Sequence, residues 1–428
     1  MKVVFVVSKF PCYDEAFILR ELYALSKQVD IFIFSLRKSK DKTVHDEASA
    51  LLARTIYVPY FFSRRVLGSN IRVFFRYPVR YLTALLGLVF GNLKSFEFLW
   101  KNVIFFPKAV YLADFVRREG IDHIHAYWAT YPASVAYVAS QITKRPFSFT
   151  GHAHDIYLNT TSLKRKITKA KFVATCTEKN KEYLKQIASG AFRSRGVPPR
   201  RPPGRMPGLR EGEKILVIHH GIDLEKFAGT RKARAEQSET IEILSVGTLQ
   251  WHKGFEHLIK ALSKLKERAV RFHATIIGGG PLAEDLQRHI RFLKLQDVVT
   301  MTGPLKQDQV IPYYKQADIK VLMAQPEWHW GIPNVFIEAL AAKVAVVTTR
   351  FGSVEELIED GVTGVIVPSK DDKALADVLE KLCRDDHFRI ELAERGHQRV
   401  VQNFDLGQNV KTYLREFSHN GLYEALPH

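Results

Sequence analysis

The stretch "SVGTLQWHKGFEHLIKAL" sets Lys253 and Gly254 between a β-branched run ending at Gly247 and an amphipathic helical pattern. An ammonium beside the positive end of a helix dipole is a place for an anion such as a diphosphate. A plain surface lysine beside a glycine turn reads the same way, since lysines are ordinarily exposed. In "QPEWHWGIPNVFIEALAAK" the helical pattern is apolar on nearly every side, yet Glu338 sits inside it. A buried carboxylate needs a partner. A vicinal diol fits, because a carboxylate accepts two hydrogen bonds side by side; so does an internal ion pair with Arg or Lys. Pro333 is suited to the first helical position, which turns the amides of Asn334 and Val335 into the preceding loop crevice.

Two more stretches are candidates. "ATIIGGGPLAEDLQRHI" places Gly278, Gly279 and Gly280 after a strand-like run, with Pro281 suited to open a helix. Glycines there admit either a ligand or a tight turn, and the spacing is not a GxGxxG fingerprint. "FSFTGHAHDIY" places His152 just past a strand-like run, as a base, an oxyanion donor or a donor to a substrate hydroxyl. His154 and Asp155, with "HIH" at 123 to 125 and "HH" at 219 to 220, raise the question of a metal. None of these pairs has the helical i, i+4 spacing or a thiolate, and no metal site is expected.

The elements that must position these residues are short β-branched runs alternating with helical patterns. The first half holds "VVFVV", "DIFIFSL", "HIHAYW", "FSFTG" and "ILVIHHG"; the second holds "IEILSVG", "HATIIGGG", "VVTMTG", "IKVLMA", "VAVVTT" and "GVIVP". Strands without clear alternation, separated by helices, indicate parallel sheets covered on both faces. Two doubly wound α/β domains in tandem follow, with ligands expected at the carboxyl ends of the strands. A linker composition near 219–239 sets the boundaries at 1–222 and 223–404, leaving 405–428 as a helical segment that can pack back on the first domain. Within the first domain, 64–118 mixes aromatic, aliphatic and basic residues like an interfacial amphipathic region, although ordinary surface helices are amphipathic too. The Pro-, Gly- and Arg-rich stretch 190–212 reads as a flexible loop.

With 428 residues, 46% apolar and 25% charged, the composition is that of a two-domain globular protein. The net charge of +18 predicts attraction to something anionic: nucleic acid, an acidic membrane surface or phosphorylated substrates. Three scattered cysteines, Cys12, Cys176 and Cys383, lack CxxC spacing, which fits a reducing cytosol better than a disulfide framework. "MKVVFVV" is too short for a signal peptide, and "ALLGLVFG" at 84 to 91 is under half of the roughly 20 residues that span a bilayer.

Taken together, "GTLQWHKGFEHLIKAL", "IIGGGPLAEDLQRHIRFLKLQDVVTMTGPLKQDQVIPYYKQADIKVLMA", "GIPNVFIEALAAKVAVVTT" and "GSVEELIEDGVTGVIVP" resemble the nucleotide-binding half of retaining glycosyltransferases of the GT-B fold, family GT4. "FPCYDEAFILREL", "FTGHAHDIY" and "HHGIDLEKF" extend the resemblance over the first half. It implies two Rossmann-like domains facing a cleft, the first for acceptor and the second for donor. It implies that Lys253 contacts the donor diphosphate and that Glu338 binds the donor ribose. Gly331, Ile332 and Asn334 then lie where the backbone approaches the donor sugar, Leu305 where the base is met, and His152 near the transferred sugar; Gly279 belongs to the same set of donor loops. Two positions depart from the family pattern: Thr248 stands where an arginine is usual and Trp330 where the first glutamate is usual, with Glu327 the nearest substitute.

The implied activity is transfer of a sugar from a UDP- or GDP-linked donor to a saccharide or lipid-linked acceptor, a hexosyltransferase of polysaccharide or glycolipid assembly. No cofactor or required metal is expected. The expected location is cytoplasmic and peripheral, on an anionic membrane surface at the inner face of the cell membrane. The alternatives are a nucleotide-sugar-binding protein or an epimerase of the same form. A basic nucleic-acid-binding protein is the remote one, and with no RRM, KH or helix-turn-helix pattern no nucleic acid is expected as a partner.

Overall fold

The computed structural model describes residues 1–12, 15–39, 46–58, 63–93, 95–158, 160–190, 214–228, 240–328 and 331–418. Trp330 and nearly all of the 190–212 stretch lie outside these residues. The described chain divides into two compact units, one of residues 1–221 with 407–428, the other of residues 222–406.

The first unit carries seven parallel strands: β1 (Lys2–Val7), β2 (Asp30–Ser35), β3 (Thr55–Tyr57), β4 (His123–Tyr127), β5 (Phe147–Gly151), β6 (Val173–Thr175) and β7 (Ile215–Val217). Their order is β3-β2-β1-β4-β5-β6-β7. The unbroken apolar run of β1 is what a central strand needs, since helices cover both faces and Val3 to Val7 are all buried. The helix Leu406–Phe417 belongs to this unit: Tyr413 and Phe417 pack in one cluster with Phe5 and Phe172.

The second unit repeats the plan with β8 (Ile241–Val246), β9 (Phe272–Ile277), β10 (Val299–Gly303), β11 (Ile319–Leu322), β12 (Ala345–Thr349) and β13 (Val365–Val367), in the order β10-β9-β8-β11-β12-β13. Both sheets therefore follow the doubly wound Rossmann order expected from the strand–helix alternation. In each, the chain leaves the first strand on one side and returns on the other, opening a crevice beyond the carboxyl ends of β1 and β4, and of β8 and β11.

Residues 64–118 form three helices, Arg64–Arg76, Pro78–Asn92 and Phe96–Arg118. Among the described residues no single helix is long and apolar enough to cross a membrane. The three cysteines are free thiols, Cys12 and Cys176 buried.

Candidate functional site

In the second unit the strands deliver their loops to one edge. After β8 the chain runs Gly247, exposed Thr248 and buried Leu249 into a short turn, Trp251–Lys253, and Gly254 then caps the helix Phe255–Glu267. Gly254 has φ +69°, and a Cβ there would run into the carbonyl of Met323 just past β11. Glycine is what lets the two loops close on each other. Gln325, buried after β11, stitches them: its amide donates to the His252 carbonyl at 2.9 Å and its side chain to the Trp251 carbonyl at 3.4 Å.

Lys253 is thereby held half-buried at the head of a helix, and burial lowers its ammonium to about 8. Lys320, on β11, is completely buried, and its ammonium lies 3.4 Å from the Val246 carbonyl at the end of β8. Burial drives Lys320 well below the ordinary lysine range; Glu338 works against that shift and Lys253 adds to it. Glu338, 8% exposed, sits in the helix Asn334–Ala341 and accepts from the Gln307 side chain at 3.1 Å. Two ammonium groups and one carboxylate thus interact at the carboxyl edge of this sheet, with Gln307 supplied by the helix after β10.

The remaining residues singled out in this half occupy the same edge. Leu305, partly buried, joins β10 to the helix Gln307–Gln316. Gly279 follows β9 and packs toward Pro304. Gly331, open to its surroundings, precedes buried Ile332, and Asn334 is the first residue of the helix bearing Glu338. Two details differ from the sequence reading. Pro333 is the residue before the helix rather than its first, and Pro281 lies two residues ahead of the helix Ala283–Phe292. The glycines after β9 also have a packing reason: a Cβ at Gly278, φ +154°, would meet the carbonyl of Gly247. Glu327 is exposed in the turn Pro326–Trp328.

His152 lies in the first unit, at the end of β5 and before the helix Ala153–Tyr157. Its backbone amide donates to Asp155 Oδ1 at 2.6 Å, and Asp155 also accepts from the Ala129 amide. Its ring packs among Trp128 at 4.6 Å, Phe17 at 5.1 Å and His220 at 5.4 Å between centroids. Burial first, and His220 second, push His152 well below the usual histidine range, so the imidazole is neutral at pH 7. His152 Nδ1 and Trp128 Nε1 are buried with no hydrogen-bond partner among the described residues. Trp128 has φ 81°, a strained conformation for a bulky residue and one that collects at functional sites.

Three other histidines of the first unit make structural hydrogen bonds. In β4, His123 Nε2 and His125 Nδ1 both meet Ser148 Oγ at 2.7 Å, His125 Nε2 meets Thr150 Oγ1 at 3.0 Å, and Thr150 meets the Tyr413 hydroxyl at 3.0 Å. His219 Nδ1 faces the Cys176 carbonyl at 2.8 Å. Among the described residues no three His, Cys, Asp or Glu side chains gather as metal ligands would.

The sequence reading did not select Lys320, Gln307, Gln325 or Trp128. Lys320 had a usable signal, a cation inside "DIKVLMA", a strand with apolar residues on both sides of it. Trp128 had none, because its backbone angle and unpaired nitrogen are visible only in three dimensions.

Residues 227–399 match the family model described as glycosyl transferases group 1. The chain is 30% identical over 226 residues to the putative colanic acid biosynthesis glycosyltransferase WcaL of Salmonella typhimurium, covering 52% of each chain. It is 36% identical over 173 residues to the amylovoran biosynthesis glycosyltransferase AmsK of Erwinia amylovora, covering 40% of this chain and 42% of that one. These matches span about half the length of the curated relatives. Among solved structures, Anabaena Alr3699/HepE in complex with UDP superposes with a TM-score of 0.67 at 16% identity, over 97% of this chain and 99% of that one. At that identity the likeness is one of fold, and the fold is GT-B.

Proposed function

We propose, from the premise that residues 227–399 belong to the group 1 glycosyl transferases, that this protein is a retaining GT4 glycosyltransferase. It moves a sugar from a UDP- or GDP-linked donor to a saccharide or lipid-linked saccharide in the synthesis of a cell-surface polysaccharide or glycolipid. The observation that carries this reading is the pairing of Lys253 and Lys320 with Glu338 at one sheet edge. Two cations suit a diphosphate, and the carboxylate of Glu338, midway along the helix Asn334–Ala341, suits the two hydroxyls of a ribose. WcaL and AmsK, both named for polysaccharide biosynthesis, and the UDP bound to HepE support the same reading.

When the bond from the anomeric carbon to the diphosphate breaks, negative charge grows on the leaving oxygen and positive charge on the sugar. Lys253 and the head of the helix Phe255–Glu267 stabilise the anion; this is electrostatic stabilisation by groups already in place. Lys320, disfavoured as an ammonium in the free protein, becomes favoured once a diphosphate is bound. Thr248 carries no charge where an arginine is usual, so Lys320 takes a larger share of the neutralisation. Neutral His152 offers its imidazole to a hydroxyl of the transferred sugar. No covalent nucleophile and no metal are assigned.

The test is calorimetric titration with UDP, GDP and their sugars, followed by product analysis with and without acceptor. Tight binding of one nucleotide, lost in Lys253→Ala and Glu338→Ala, together with a new glycoside is the expected result. Binding without transfer would leave a nucleotide-sugar-binding protein, and conversion of donor without acceptor an epimerase.

A further inference from the structure

The large hydrophobic side chains that this protein leaves in water are concentrated in one region. Of eighteen exposed among the described residues, twelve lie between Leu67 and Ile104. Each of the three helices there shows an exposed pair four residues apart: Ile71 and Phe75, Leu86 and Phe90, Phe96 and Trp100. Phe75 is 78% and Phe96 82% exposed. Residues four apart share a helix face, so these are stripes and not scattered exceptions. The other sides of the same helices are anchored, with Val73, Leu88 and Phe98 buried in the first unit.

Beside the second of these helices lies a pocket of about 580 Å³, between Gly91 and the segment Thr160–Lys169. Lys164 and Lys169 line it together with the hydroxyls of Thr160, Ser162 and Thr168, and no acidic side chain does. Arg165, also in its wall, donates to the Gly87 carbonyl, and a Cβ at Gly87 would come within 2.8 Å of its guanidinium. The glycines of Pro78–Asn92 thus let the basic wall lie directly against the helix that exposes Phe90.

We infer that this region is a docking surface for an anionic phospholipid bilayer, with the apolar stripes entering the interfacial zone and the Gly91–Lys169 pocket holding the phosphate of one lipid headgroup. The inference rests on the lipid-linked branch of the reading above and adds the partner's chemistry and a headgroup site. Charge selects this occupant: residues 64–118 hold ten Lys or Arg against two acids. A second copy of the chain, packed through the same face about a twofold axis, would set basic residues against basic residues. An anionic surface neutralises them while the stripes take up hydrocarbon. The helices lie on the membrane and do not span it. Arg64–Arg76 and Pro78–Asn92 meet the length and composition of a span only as a pair bent by 114°, and each is held on one side by its own domain.

The experiment is sedimentation of the full chain with vesicles of phosphatidylcholine alone and of phosphatidylcholine with an equal part of phosphatidylglycerol. Retention on the anionic vesicles is expected, falling roughly five-fold for each charge removed in Lys164→Gln and Lys169→Gln. Lys164→Arg with Lys169→Arg should retain binding, and Phe90→Asp should abolish it, with circular dichroism unchanged in every variant. Equal retention on neutral vesicles, or full retention by the double glutamine variant, would overturn the inference. So would release by inorganic phosphate at matched ionic strength, which assigns the pocket to a soluble anion. A doubled mass without vesicles that Phe90→Asp reverses would assign the face to self-association. Nucleotide titration of the same variants separates the two readings: docking without nucleotide binding removes the transferase, and nucleotide binding without docking removes only the lipid site.

Discussion

Glu338 supports the charge of Lys320 inside the second unit. The ammonium is completely buried on β11, its hydrogen bond to Val246 is long at 3.4 Å, and the Glu338 carboxylate is the group that favours its charged form. Such a lysine is costly to the fold, which makes it informative about function.

Lys320→Met should therefore separate stability from binding. Burial already disfavours the charged amine and Glu338 keeps its hydrogen bond from Gln307, so an apolar chain of similar length should leave unfolding free energy unchanged or raise it by about 1 kcal/mol. UDP or GDP affinity should fall by roughly 1.5–3 kcal/mol, the worth of a charge-assisted hydrogen bond. Urea unfolding and calorimetry on one preparation measure both; lost stability with intact affinity would make Lys320 a structural ion-pair partner only.

Glu338→Gln addresses the pentose. If the carboxylate holds ribose hydroxyls, UDP should bind about ten- to a hundred-fold more weakly while inorganic pyrophosphate binds as before. Equal losses for both ligands would mean that Glu338 acts through Lys320 and not on the nucleotide.

The depressed ammonium of Lys253 sets a pH window. With a folded value of about 8 against 10.5 unfolded, the free protein gives up this proton as pH rises through 8, whereas a bound diphosphate retains it. Nucleotide affinity should be level below pH 8 and fall above it, by up to about ten-fold per pH unit until the bound lysine also titrates. For the fold the sign is opposite: burying an amine disfavours its charged form, so this group's contribution to stability rises between pH 8 and the unfolded value. Lys253→Arg should flatten the affinity profile, and titration in buffers of different ionisation heat near pH 8 should show proton uptake.

Trp128→Phe removes one N–H and keeps most of the packing around His152. If that nitrogen serves a sugar hydroxyl, kcat should drop about ten-fold or more with nucleotide affinity unaltered. Unchanged turnover would return the strained φ of 81° to a purely local cause.

Gly254→Ala is the stability control for the donor edge. The new Cβ would collide with the Met323 carbonyl at a positive φ, and a loss of about 2–3 kcal/mol is expected, read as a lower urea midpoint. Nucleotide binding should weaken as well, because Lys253 is the residue immediately before it.

Much of this was legible beforehand, because parallel sheets advertise themselves through apolar runs with no alternation. The strands that escaped, β3 and β6, are three residues each and read TIY and VAT, without the aliphatic run that marks the equally short β7 and β13. Lys253 and Glu338 stand out in the sequence because a charge beside a helix start, or within an apolar helix, contradicts its surroundings. Lys320 contradicts its surroundings equally and was passed over inside a run read only for its strand. His123 and His125 raise the question of a metal that their spacing does not support: alternate strand positions face one side of the sheet, where one nitrogen of each ring meets Ser148 Oγ. The departure at Trp330 falls outside the described residues.

The helix Leu406–Phe417 gives the chain an unusual order of assembly. Tyr413 and Phe417 complete the apolar cluster around Phe5, so the unit that begins at the first residue lacks part of its interior until the last turn of helix has been synthesised. During vectorial synthesis on the ribosome the second unit, continuous in sequence, can finish first while the first waits for its closing piece. A premature stop codon just after residue 406 would therefore damage the amino-terminal half most, although it leaves residues 1–221 in place.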